Sequence, residues 1–144
     1  MNKLGIILVV IMITLVGMWV WVVINPNQTS QSEVKSKVLS EQSDDQGQVT
    51  VDVTPVFLEP GKETKFSVTL NTHTVELSYD LLTVSNLADD KGNNLKPISW
   101  SGGSGGHHLV GELVFPSLST KAKSVQLTIA NISGFDRKFR WELL

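Results

Sequence analysis

Ser124-Val125-Gln126-Leu127-Thr128-Ile129 alternates apolar and polar side chains without a break. A period of two puts Val125, Leu127 and Ile129 on one face of a β-strand. The same pattern recurs on either side. Val49, Val51 and Val53 form one run, Phe66, Val68 and Leu70 a second, Val75, Leu77 and Tyr79 a third. Leu113 and Phe115 share a face, and Phe139, Trp141 and Leu143 close the chain. Parity fails at Leu81-Leu82, where a bulge or a strand crossing between sheets would restore it.

The breaks between these runs carry turn chemistry. Glu59-Pro60-Gly61-Lys62 joins a φ-restricted proline to a permissive glycine. Asp89-Asp90-Lys91-Gly92-Asn93-Asn94 is a hairpin signal between the Val84 and Ile98 segments. Ser101–Gly106 reads as a mobile glycine-rich connection, and Pro116–Thr120 and Ser133–Asp136 separate the last strands. Short strands at this spacing predict an all-β domain over residues 49–144, an immunoglobulin-like antiparallel β-sandwich. A small barrel shares the same pattern. Trp100 and Trp141 are expected in the core.

Residues 1–24 have a different character. Leu4–Ile24 is an uncharged apolar run long enough to cross a hydrocarbon core of about 30 Å at about 1.5 Å per residue. Trp19 and Trp21 lie near its far end, where aromatic rings favour the headgroup zone. Lys3 precedes it and no Lys or Arg follows until Lys35, so the positive-inside rule puts the N-terminus in the cytoplasm and residues 25–144 outside. A cleaved signal peptide is the alternative. The run is longer than a usual h-region and ends without a small-x-small cleavage site, which favours a single-pass anchor through residues 4–24. Residues 25–48 are rich in Gln, Ser, Asn and Asp and are expected to be a disordered polar linker.

Composition narrows the chemistry. The chain has 144 residues, a net charge of −2 and no cysteine. That excludes disulfides, thiolate catalysis and cysteine metal sites. It also supplies no basic surplus for a nucleic-acid partner. The three histidines are His73, His107 and His108. Imidazole suits copper, zinc and nickel, so His73 with His107 or His108 is a candidate metal site, with Asp80, and Glu76 behind it, as oxygen ligands. Neighbouring strand residues face opposite ways, so His107 and His108 cannot both turn inward unless a bulge intervenes. A separation above about 8 Å between His73 and both other imidazoles would exclude a shared ion.

Other patterns carry less. Gly102-Gly103-Ser104-Gly105-Gly106 satisfies the G-x-S-x-G spelling, but that motif needs a strand-to-helix turn in an α/β sheet. Asp89–Asn93 lacks the alternating acidic ligands and terminal glutamate of a calcium loop. Arg137, Lys138 and Arg140 read as a solvated, aggregation-resistant edge. Asn27-Gln28-Thr29 and Asn131-Ile132-Ser133 match glycosylation sequons, the second on a strand where its Asn is expected to be poorly accessible.

Asn71–Leu81, together with Gly105-Gly106-His107-His108 and Gly111–Pro116, resembles a family of exported, uncharacterised prokaryotic domains with one N-terminal hydrophobic segment. The resemblance implies location and a sandwich fold, not an activity. The sandwich is also distantly similar to small periplasmic copper-binding domains, whose ligand set is absent here. The expectation is therefore a membrane-anchored extracytoplasmic binding module with a protein or envelope partner, reached through a strand edge or loops, and not an enzyme. Copper or zinc binding or delivery is the alternative.

Overall fold

The alternating runs become two antiparallel sheets. The computed structural model describes residues 39–143, so the membrane segment at 4–24 and most of the linker lie outside the described residues. The strands are β1 (Gln42–Gln46), β2 (Val49–Phe57), β3 (Thr64–Asn71), β4 (Ser85–Asp89), β5 (Asn94–Leu95), β6 (Ser99–Trp100), β7 (His108–Phe115), β8 (Ser124–Ile132) and β9 (Phe135–Glu142). One sheet runs β1-β2-β3-β7-β6 and the other β5-β4-β8-β9. The alternation thus makes a two-sheet, sandwich-like body rather than a closed barrel.

The inward faces match the predicted parity. Val49, Val51, Val53, Phe66, Val68 and Leu70 are buried together with Val125, Leu127, Ile129 and Phe139. Each such side chain contributes roughly 1.5–3 kcal/mol on burial. Phe66 meets Phe115 edge-on at 6.0 Å and lies 5.1 Å from Trp141. Trp141 is buried, whereas Trp100 is only partly covered.

The predicted turns form. Lys62 N–H donates to Glu59 O (3.2 Å), and Gly61 takes φ +76°, as Pro-Gly requires at the centre of a type II turn. Ser133 and Gly134 both have positive φ and close the β8–β9 hairpin. Asn131, also at positive φ, is exposed and not sheltered as the strand pattern implies.

Five readings change. First, Gln42–Gln46, expected within the linker, form a strand that pairs with β2 from Gln42↔Val53 to Gln46↔Val49. That strand is polar because it is an edge, which a composition test for disorder cannot separate from linker. Second, Leu81–Val84 is a short helix, α1. Asp80 caps it, accepting from Leu82 N–H (3.1 Å) and Thr83 Oγ1 (2.6 Å). Third, Val75, Leu77 and Tyr79 are not in a strand, although Leu77 is buried. Fourth, the glycine-rich loop is tied down by the bonds described below.

Fifth, Arg137 is fully buried. It shares an inward parity with Phe139 and Trp141. Its guanidinium binds Asp44 Oδ1 (2.5 Å), the Gln46 carbonyl and Val49 O (3.2 Å). Gln42 completes the link between β1 and β9. Its Nε2 donates to Arg140 O (2.6 Å), and Arg140 N–H donates to its Oε1 (3.1 Å). A side-chain amide thus substitutes for a backbone ladder across two sheet edges. Lys138 and Arg140 remain exposed, so only part of the basic run is solvated.

Candidate functional site

The end of the body where β3 finishes and β7 begins gathers the histidines. The β3–β7 register places Asn71 opposite His108. One further bond, Thr72 N–H to His107 O (3.0 Å), extends that ladder. The chain then turns about buried Thr72. Its hydroxyl donates to Gln48 O (2.7 Å) and accepts from Thr74 N–H and Val75 N–H (both 3.2 Å). Thr74 Oγ1 donates to Gln48 Oε1 (2.5 Å), so the β1–β2 turn and the 72–75 turn brace each other. Gln48 holds φ +63° beside Gly47 at +55°, the paired positive φ of a tight hairpin.

This frame brings His73 to His108. Asn71 and His73 are two apart and share a parity, and His108 faces Asn71 across the ladder. The two imidazoles meet edge-to-face, with ring centroids 6.4 Å apart. Both residues are exposed. Asn71 Oδ1 lies 2.8 Å from His108 Nδ1. An amide oxygen only accepts, so this contact suits the tautomer that carries its proton on Nδ1 and leaves Nε2 bare. An adjoining cleft of about 380 Å³ is lined by Asp45, Gln48, Thr50, Asn71, Thr72, His73 and Thr74.

The other candidates are placed differently. His107 is exposed, has opposite strand parity to His108, and stays outside the imidazole contact. Asp80 spends both oxygens on the α1 cap. Glu76 Oε1 accepts from Gly106 N–H (2.6 Å). No group of three or more His, Asp or Glu side chains suited to a metal ion occurs among the described residues. Of His73, His107, His108 and Asp80, the structure brings the rings of His73 and His108 together, while Asp80 caps α1 and His107 lies outside that contact.

The glycine-rich loop is a clamp. Gly105 N–H donates to Leu77 O (2.8 Å), Leu77 N–H to Gly106 O (2.9 Å), and Trp100 Nε1 to Gly103 O (2.7 Å). At Gly111 a Cβ would lie 2.3 Å from Gly102 N, so two backbones touch where only glycine fits. Ser104 is exposed within this loop. At the Asp89–Asn93 turn, Asp89 accepts from Lys91 N–H (2.9 Å) and Asn93 N–H (3.0 Å), which holds a hairpin. Asp90 accepts from Lys91 Nζ (2.6 Å) and Lys123 N–H (2.7 Å), and these bonds hold its carboxyl down at about 2.

Asn71 and Gln48 are the site residues that sequence reading passes over. Neither belongs to a metal motif. Asn71 could have been found from its two-residue spacing to His73, given the β3–β7 register.

No protein-family profile matches the chain, and no curated protein matches it. Solved structures similar to it include two from bacteria. One is a secreted Mycobacterium tuberculosis protein, MPT63, at 18% identity and a TM-score of 0.42, covering 72% of this chain and 92% of that one. The other is a DUF4426 family protein from Pseudomonas aeruginosa, at 13% identity and a TM-score of 0.44, covering 70% and 90%. No helix among the described residues is long and apolar enough to cross a membrane.

Proposed function

We propose that the chain is a single-pass membrane protein, cytoplasmic at its N-terminus, that displays an immunoglobulin-like binding domain outside. The observation that carries this reading is the polar end at Asp45–Thr50, Asn71–Thr74 and His107-His108. Polar residues line an open cleft there on a braced frame. Loops held by a rigid scaffold are where binding groups usually sit. The strand edges offer less. β5 and β6 are two residues each, and Lys96 Nζ occupies the carbonyls of Thr83 (3.2 Å) and Ser85 (3.1 Å) beside β4. Gln42 bridges β1 to β9. A partner reached through loops fits this arrangement better than one that adds a strand.

Because the chain lacks cysteine, one introduced thiol reports cleanly. Full-length Thr74→Cys should react with a membrane-impermeant maleimide in intact cells; reaction only after lysis would contradict the topology. A photo-crosslinking residue at position 74 should give a discrete adduct in native membranes. The same residue at position 62, in the opposite β2–β3 turn, should not. Equal adducts from both positions, or none from either, would contradict a binding end.

A further inference from the structure

We propose that His73 and His108 together hold one divalent transition-metal ion, Cu(II) more tightly than Zn(II). This rests on the reading of that end as the ligand-contacting end, and it names the ligand's chemical class.

Geometry carries the proposal. Metal–imidazole bonds of about 2.0–2.1 Å place two rings on a shared ion with centroids roughly 5–6 Å apart. The observed 6.4 Å lies just outside that range. Both residues are exposed, so no core packing opposes reorientation of either ring. The backbone under each is already fixed, His108 by the β3–β7 ladder and His73 by the Thr72-centred turn.

The second argument concerns the proton. A ligating imidazole needs one bare nitrogen, and its other N–H usually donates to an oxygen that sets the tautomer and raises basicity. Asn71 Oδ1, 2.8 Å from His108 Nδ1, provides this arrangement before any ion arrives. The cleft beside the pair is lined by Asp45 and neutral polar residues, with no Lys or Arg among its lining. Its local charge therefore does not oppose a cation.

Two imidazoles leave the remaining coordination positions to water. Such a site imposes little geometry, so affinity should follow the intrinsic order that puts Cu(II) above Ni(II) and Zn(II). Mg(II), which prefers oxygen ligands, should not compete.

The test is calorimetric titration of the full-length protein in detergent with CuCl2, ZnCl2 and MgCl2. Saturable 1:1 binding of Cu(II), weaker Zn(II) and no Mg(II) binding are expected. His73→Ala and His108→Ala should each weaken Cu(II) binding at least about tenfold, Asn71→Ala should weaken it by about tenfold, and His107→Ala should leave it unchanged. Electron paramagnetic resonance of the Cu(II) form should show two imidazole nitrogens. Absence of saturable binding below about 1 mM, or equal binding in the His73→Ala/His108→Ala double variant, would overturn the proposal. If the position-74 adduct persists in metal-free protein while metal binding fails, the binding-module reading stands and the metal proposal falls.

Discussion

Two polar clusters border the β1–β2 hairpin, and they are built in opposite ways. Around Arg137, charge is enclosed. The guanidinium is fully buried and its bonds go to Asp44 and to backbone carbonyls of the surrounding strands. Around His73 and His108, the side chains are exposed and the bonds beneath them go to the frame. A buried charge with fixed partners has no freedom to meet a ligand. An exposed pair on a braced turn does. The comparison teaches that charge density alone does not mark a site; what matters is whether the polar groups are already spent.

The largest expected effect comes from the enclosed cluster. Arg137→Leu leaves Asp44 and several carbonyls without their donor, and should cost about 3–5 kcal/mol in urea unfolding. A loss below about 1 kcal/mol would mean the guanidinium behaves as a surface charge after all. Next comes the glycine contact that shapes the loop above the histidine end. In Gly111→Ala the new methyl would sit 2.3 Å from Gly102 N. Forcing those backbones apart should cost about 1–3 kcal/mol, read from the same unfolding curve. Unchanged stability would show that the clamp yields freely.

A smaller effect is set by acid. Asp90 is held at about 2 against an ordinary 3.8, chiefly by its bond to Lys91. A lowered carboxyl stabilises the fold above its unfolded value, and that contribution is lost as pH falls through the folded value. Melting temperature should therefore drop between pH 3.8 and about 2, and Asp90→Asn should flatten part of that slope. Identical slopes would mean the bonds to Asp90 are not maintained in solution. The smallest effect belongs to the accessible cluster. His73→Ala and His108→Ala should each change metal-free stability by less than about 0.5 kcal/mol. A loss near that of Arg137→Leu would collapse the distinction between the two clusters.

Much of the fold is legible in the sequence because the inward faces are strictly alternating. Val49–Val53, Phe66–Leu70 and Val125–Ile129 all bury the residues that parity selects. The misreadings have two causes, which are polar edge residues that resemble linker and buried polar groups whose partners lie far along the chain. Gln42–Gln46 reads as linker because it is a polar edge strand: its hairpin partner β2 is adjacent in sequence, but its link to Arg140 lies 98 positions away from Gln42. Arg137 reads as solvated because its partners lie far along the chain, although its parity with Phe139 and Trp141 is the visible clue. Val75–Tyr79 keeps a strand's alternation yet no ladder, because Thr72 and the glycine loop take its backbone bonds. At the candidate site, strand parity separates His107 from His108 in advance. The meeting of His73 with His108 depends on a register that only the fold supplies.

The most direct test of the accessible imidazole pair is residue-resolved. Substoichiometric Cu(II) broadens nearby amide signals in a two-dimensional proton–nitrogen spectrum of the full-length protein in detergent. Broadening centred on His73 and His108, and abolished in the His73→Ala/His108→Ala variant, is the predicted result. Broadening centred on the Asp89-Asp90 turn, or unchanged in that variant, would contradict it.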